Sequence, residues 1–186
     1  MVWKLDELAG SRFDCECGQV HKVPIERIRM QEGALEYIGR DIVDLKLGER
    51  ALVIADDTAY AVAGGQVEKA LTQAGIALDK VILSPNHNLK PSNWVLPNED
   101  SLGKVLFNIP NEPGPLIAVG SGTINDITRF VAKKTNRPFL SVGTAASMDG
   151  YASTVAALLT GSFKKTVPAA YPLAIYTDPN ILATAP

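Results

Sequence analysis

Short apolar runs alternate along this chain with stretches in which apolar residues recur every three or four positions. "ALVIADD" (51–57) is continuously apolar and closes on two acids, the pattern of a strand buried on both faces. From Thr58 onward Ala59, Val62, Ala63, Val67, Ala70, Leu71 and Ala74 keep helical spacing, and Gly75 stands where a helix C-terminus takes a left-handed residue. "LDKVILSP" is the next strand, so residues 51–85 predict one strand-helix-strand unit, right-handed by the usual chirality rule. Residues 86–97, rich in Asn and Pro, read as loop, "EDSLGKVLFNI" as a helix and "NEPG" as a turn. "PLIAVG" is a third strand, followed by a helix over "TINDITRFVAKKTN" with Ile124, Ile127 and Val131 on one face, and Phe139 to Val142 form a further short strand. Upstream, "GQVHKVPIERIRMQEGALEYIGRDIVDL" reads as an alternating strand-like stretch, a Gly-marked break and a short amphipathic segment. This predicts an N-terminal arm over residues 1–48 and an α/β core over 49–186. "TVAALLTGSFKKTVPAAYPLAIYTDP" predicts a hairpin and a closing strand added to the sheet, with Lys164 and Lys165 solvated near the turn. The sum is an α/β fold: a Rossmann-like, doubly wound, mainly parallel sheet with an added hairpin, which binds ligands beyond the carboxyl ends of its strands.

Composition narrows the partners. At 186 residues, 46% hydrophobic and 20% charged, the chain can bury one substantial core. A net charge of -2, with no block of like charges beyond short Lys pairs, leaves no electrostatic footprint for nucleic acid or an anionic membrane. No apolar run approaches the roughly 20 residues of a membrane span and the start lacks a basic region followed by an apolar one, so the expected compartment is the cytoplasm and the expected partner a small molecule. The two cysteines, Cys15 and Cys17, are one residue apart, poor geometry for a mutual disulfide. With His21 nearby a metal site can be imagined, but the C-x-C spacing and the lack of a second ligand pair favour a structural turn before a strand.

The candidate chemistry gathers at the predicted strand ends. Gly120, Ser121 and Gly122 follow the "PLIAV" run directly, and Thr123 to Asp126 match the capping-box pattern. Unpaired N–H groups and the positive end of the helix dipole suit a phosphate or pyrophosphate there, and small residues let it touch the backbone. The competing reading is a tight strand-to-helix turn with no ligand. The standard dinucleotide fingerprint would need glycine where Asn125 stands, and a P-loop lysine is absent. Asp56, ending the neighbouring strand, suits the two hydroxyls of an adenosine ribose and would repel a 2'-phosphate, which favours NAD over NADP. Alternatively Asp56 or Asp57 caps the next helix. A third group, Thr144, Ala145, Ala146, Ser147, Asp149 and Ser153, offers small and hydroxyl residues for ribose, carboxamide or phosphate, or else forms a Ser/Thr-rich turn.

"GSGTINDITRF", "SVGTAASMDGYAS", "TDPNILATAP", "ALVIADD" and the N-terminal "CECG" together resemble the sn-glycerol-1-phosphate dehydrogenase family, within the iron-containing alcohol dehydrogenase, glycerol dehydrogenase and dehydroquinate synthase superfamily. The resemblance spans nearly the whole chain. It implies that these residues are the N-terminal nucleotide-binding domain, that a helical C-terminal domain is not among them, and that the whole protein is a homo-oligomer. The implied reaction is reduction of dihydroxyacetone phosphate to sn-glycerol 1-phosphate with NADH or NADPH, assisted by a divalent metal (zinc, nickel or iron). The alternatives are a dehydroquinate synthase-like lyase, against which "SMDGYAS" speaks, and a non-catalytic nucleotide-binding module. The resemblance assigns Asp56, Gly120 through Ile124, Thr144 through Ser147 and Ser153 to the cofactor, and Asp149 to the substrate. Gly143 stands where relatives often have proline. The metal ligands implied by the superfamily, an acid downstream of "ILATAP" and two later histidines, are not in this sequence; His21 and His87 match no ligand motif, and Asp178 reads as a cap before Pro179.

Overall fold

The computed structural model describes residues 5–85, 94–161 and 163–185, the Asp6 side chain excepted. The loop expected over 86–97 falls mostly outside them, and so does His87. In chain order the elements are α1 (Leu5–Leu8), a hairpin of β1 (Arg12–Asp14) and β2 (Val20–Lys22), β3 (Arg27–Met30), and a 3-10 turn (Ala34–Tyr37) leading into α2 (Ile38–Asp44). Then come β4 (Arg50–Asp56), α3 (Asp57–Ala59), a π-helical turn (Tyr60–Gly64), α4 (Gly65–Gln73), β5 (Ala77–Leu83), α5 (Glu99–Phe107), β6 (Leu116–Gly120), α6 (Gly122–Thr135) and β7 (Phe139–Gly143). The chain closes with a 3-10 turn (Gly150–Ala152), β8 (Val155–Thr160), β9 (Phe163–Pro168), β10 (Ala174–Thr177) and α7 (Pro179–Leu182).

Six strands form one sheet in the order β3-β10-β7-β6-β4-β5, every pairing parallel. Side chains alternate across it and fill two layers. Val53, Ala55, Ile117, Val119, Leu140 and Val142 face α2 and α4 in one; Leu52, Ile54, Leu116, Ala118 and Phe139 face α5 and α6 in the other. Both faces are covered, which is why "ALVI" and "LIAV" read as unbroken apolar runs. The chain leaves β4 outward to β5 and returns to β6 on the other flank of β4, so the strand order reverses between β4 and β6, the position at which open α/β sheets bind ligands.

Residues 27–44 do not stand apart from the core as an arm would. β3 is an edge strand of the main sheet, and Ala34, Leu35, Ile38 and Ile42 are buried beneath it. An acid locks them in place: Asp41, fully buried, accepts from Arg29 Nε at 2.7 Å and Nη2 at 2.6 Å, and from the Tyr176 hydroxyl at 3.1 Å. That bond, followed by burial acting the other way, holds the Arg29 guanidinium above its ordinary value. The C-terminal expectation also needs correcting. β10 does not close the sheet but lies between β7 and β3, and β8-β9 is a separate antiparallel ribbon whose Ala156 and Leu158 pack under Leu102 and Phe130. The π turn interrupts the helix predicted from Thr58, dividing it into α3 and α4.

Candidate functional site

Register alone assembles the site. β4 pairs β6 with Ala55 opposite Val119, and β6 pairs β7 with Gly120 opposite Gly143. Asp56, the Gly120–Ser121 turn and Thr144 are therefore carried to one rim on three adjacent strands about 5 Å apart. There a cleft of about 710 Å³ opens, walled by Asp56, Thr58 and Val62 on one side, Ser121 and Thr123 at its floor, and Thr144, Ala145 and Ser147 opposite. Leu83, Val95 and Leu96 make an apolar end, with Trp94 standing 78% exposed above them.

The turn into α6 explains its own composition. A Cβ on Gly120 would lie 2.9 Å from the Cβ and Cγ1 of Ile124, so strand and helix meet only because glycine is there. At Gly122 an added Cβ would meet nothing nearer than Met148 Cγ at 3.7 Å. Gly122 itself is not among the cleft's lining; its neighbours Ser121 and Thr123 are, at the turn where the first amides of the helix lie unpaired. Asn125, on the buried side, draws the turn's carbonyls away: its Nδ2 donates to Gly120 O at 3.1 Å and Ser121 O at 3.0 Å, while its Oδ1 accepts from the Ser141 hydroxyl at 2.6 Å. The residue that breaks the glycine fingerprint is thus the clamp of the turn.

The expected capping box is not formed. The N-cap is Ser121, with no side-chain cap bond, and the helix starts at Gly122. Thr123 lies inside the first turn and faces the cleft, and Asp126 turns outward to accept from Ala157 N–H at 3.1 Å. Burial raises the Asp126 pKa above the ordinary carboxylate value, partly offset by that N–H and by Arg129. Lys133 and Lys134 close the last turn, where their charge complements the negative end of the helix dipole.

Asp56 both caps and faces the cleft. Its Oδ1 accepts from Ala59 N–H at 2.7 Å; among the described residues its Oδ2 has no partner. Asp57, the alternative cap, instead accepts from the Ser84 hydroxyl at 3.3 Å. Asp178 is a cap as expected, accepting from Asn180 N–H at 2.8 Å, and it also takes Gly33 N–H at 2.8 Å.

Of the remaining candidates, Thr144, Ala145 and Ser147 line the cleft, Ile124 lines it while staying buried, and Ala146 is exposed outside its lining. Ser153 is not brought in: its hydroxyl bonds the backbone of Val155, and its carbonyl accepts from Arg129 Nη1 at 2.7 Å. Asp149 is exposed beyond the rim, with no partner among the described residues.

Two residues that sequence reasoning passed over hold this loop. Tyr151 donates its hydroxyl to Ala145 O at 2.9 Å, and its ring occupies the space a Cβ on Gly143 would need, 2.8 Å from Tyr151 Cζ. Burial raises its phenol pKa. Arg129, nearly fully buried, spans from α6 to Gly150 O at 2.7 Å and Ser153 O at 2.7 Å, and burial lowers its pKa. Gly143 facing a downstream Tyr was the available signal for the first. For Arg129 there was none, since a charged residue beside an apolar helix face reads as solvated.

Among the described residues the cleft gathers no metal-ligand cluster. Among the described residues, the His, Cys, Asp or Glu atoms close enough in threes to share an ion are Cys15, Cys17 and His21, on the β1-β2 hairpin.

A parallel sheet covered on both faces, with a helix starting in a Gly-Ser-Gly turn at its strand-order reversal, defines a Rossmann-like α/β domain of the kind found in nucleotide-dependent oxidoreductases. The sequence family described as iron-containing alcohol dehydrogenase matches residues 29–186, and the chain belongs to that family. It is 34% identical over 185 residues to glycerol-1-phosphate dehydrogenase [NAD(P)+] of Geobacillus stearothermophilus, covering 98% of this chain and 44% of that protein. The protein of the same name in Methanothrix thermoacetophila is 36% identical over 161 residues, 86% of this chain and 42% of its own length. Among solved structures, NADH-dependent butanol dehydrogenase A of Thermotoga maritima superposes with a TM-score of 0.72 at 20% identity, over 90% of this chain and 46% of that one. Glycerol dehydrogenase of Schizosaccharomyces pombe gives 0.71 at 20% identity, over 87% and 39%. The chain thus spans less than half the length of these relatives.

Proposed function

We propose that this chain is the cofactor-binding part of an NAD(P)-dependent dehydrogenase that reduces dihydroxyacetone phosphate to sn-glycerol 1-phosphate. The observation that carries the reading is the rim itself, where Asp56, with one carboxylate oxygen unpartnered among the described residues, and the amide turn at Ser121 and Thr123 line one cleft across the strand-order reversal. The turn holds the pyrophosphate with backbone N–H groups and the helix dipole. Asp56 Oδ2 accepts from the adenosine ribose, with NAD preferred because a 2'-phosphate would meet that charge. Leu83, Val95 and Leu96 give the adenine an apolar seat. Thr144 and Ser147 present hydroxyls toward the nicotinamide half, and Asp149, held beyond the rim by the loop that Arg129 and Tyr151 fasten, faces the substrate. The names of the two glycerol-1-phosphate dehydrogenases support the choice of substrate. The family's metal ion supplies Lewis-acid polarisation of a carbonyl oxygen when bound; the cleft residues here do not fit it, and no step is assigned through it.

The test is titration calorimetry of the chain with NADH and with NADPH. NADH is expected to bind more tightly than NADPH, and Asp56→Ala to weaken NADH by about 1 to 3 kcal/mol through loss of a charge-assisted hydrogen bond. Absence of heat with both coenzymes refutes the reading. Mixed with NADH, dihydroxyacetone phosphate and zinc or nickel, the chain is expected not to oxidise the coenzyme; sustained turnover would overturn its assignment as the cofactor half alone.

A further inference from the structure

The β1-β2 hairpin carries chemistry that the cleft does not use. Its turn is built by Gly18, at φ +79°, whose N–H donates to Cys15 O at 2.9 Å, and by Cys15 N–H donating to Gln19 O at 3.0 Å. This folds Cys17 back over the end of β1. The register sets Phe13 opposite His21, and Cys15, two residues beyond Phe13, emerges on the same face. The imidazole is steadied against the Phe13 ring, with centroids 5.7 Å apart. One ligand atom from each of Cys15, Cys17 and His21 then lies within 4.8 Å of the others, and Cys17 Sγ is 3.2 Å from His21 Nε2. A tetrahedral zinc ion, with bonds of about 2.3 Å to sulfur and 2.0 Å to nitrogen, sets its ligands roughly 3.5 to 3.8 Å apart, inside that spread.

A second observation points the same way. The ribbon has three residue pairs, and Val20, His21 and Lys22 on its second strand are all exposed. Bonds at its base, Gly10 N–H to Ile25 O and Val23 N–H to Ser11 O, join it to the rest of the chain. A two-stranded ribbon is marginal in water by itself. An ion tying its turn to its second strand supplies a cross-link.

We propose that Cys15, Cys17 and His21 bind one zinc ion through two thiolates and one imidazole nitrogen, with water in the fourth position, and that this ion pins the hairpin. Two thiol protons leave as the ion enters, and the two thiolates neutralise its charge. This site is separate from the cleft and does not rest on the function proposed for it.

The test is an anaerobic cobalt titration of the metal-stripped chain. The expected result is a sulfur-to-cobalt charge-transfer absorption with tetrahedral d–d bands, saturating at one ion per chain and bleached by an equivalent of zinc. The sequence has two cysteines and both are here, so a thiolate band has no other source. Cys17→Ser is expected to cut the band to about half its intensity or less, and His21→Ala to shift the d–d bands, with the far-ultraviolet dichroism of the wild type kept. Zinc should also slow tryptic cleavage at Arg12 and Lys22. A stripped, folded chain that gives no charge-transfer band, or a band left unchanged by Cys17→Ser, overturns the proposal.

Discussion

Replacing Asn125 by alanine removes three hydrogen bonds at once, two of them buried, and their losses are not equal. Ser121 O still accepts from the backbone N–H of residue 125, at 3.0 Å in the wild type, and so keeps a partner. Gly120 O loses the side-chain donor, and the Ser141 hydroxyl loses its acceptor inside a strand where it is fully buried. At about 1 to 3 kcal/mol for each orphaned group, the expected cost is about 2 to 6 kcal/mol. For a domain of this size that corresponds to a fall in Tm of roughly 4 to 24 °C. Urea unfolding followed by far-ultraviolet dichroism measures the first figure, and a double-mutant cycle with Ser141→Ala isolates the hydroxyl bond. The double variant should cost less than the sum of the singles by about 1 to 2 kcal/mol, because it removes both partners together. Asn125→Gly, which restores the fingerprint glycine, should be worse than alanine by about 1 kcal/mol from helix propensity. A cost below about 0.5 kcal/mol for Asn125→Ala, or strict additivity with Ser141→Ala, would refute the clamp.

Other substitutions probe the neighbouring supports. Gly143→Ala drives a Cβ to 2.8 Å from Tyr151 Cζ and 2.9 Å from Thr177 Cγ2, and should destabilise by about 1 to 3 kcal/mol in urea unfolding; pairing it with Tyr151→Ala should recover part of the loss. Arg129→Met removes the donors to Gly150 O and Ser153 O, so hydrogen exchange should rise across residues 148–153 while β6 keeps its protection. Glu68 accepts from Lys80 at 2.8 Å and from the Tyr60 hydroxyl, and these bonds, Lys80 first, hold its carboxyl below the ordinary 4.5. A depressed carboxylate stabilises the fold above its unfolded-state pKa, and that contribution disappears as pH falls through the lower folded value. The stability gap between wild type and Glu68→Gln should therefore be full at neutral pH and shrink below about pH 4.5, as read from urea midpoints across pH.

The sheet was legible where strands are buried on both faces, since "ALVI" and "LIAV" leave no polar position to confuse the reading. β3 was legible as a strand but not as part of the sheet, because "RIRM" places two arginines on an edge strand and Arg29 is paired by Asp41, twelve positions away. The start of α6 was misread for a similar reason. A local pattern, Thr123 to Asp126, matched a cap, but the tertiary partner Ala157 claims the acid. At the site, spacing located Asp56 and the glycine turn because strand ends are predictable once strands are. Asn125, Tyr151 and Arg129 act through partners on other elements, and only packing reveals those. The Cys15, Cys17 and His21 grouping failed a motif test built on longer spacings, whereas the turn at Gly18 brings the three together regardless.

The placement of β10 has a consequence for how the fold is reached. β3 finds its hydrogen-bonding neighbour only in β10, and the contact between Gly33 N–H and Asp178 seals the two across a separation of 145 positions. During synthesis the early edge strand must wait, its Arg29–Asp41 pair lacking the Tyr176 hydroxyl, until almost the last described segment leaves the ribosome. Closure of so long a loop is slow, so a late cooperative step should be the seating of β10 between β3 and β7.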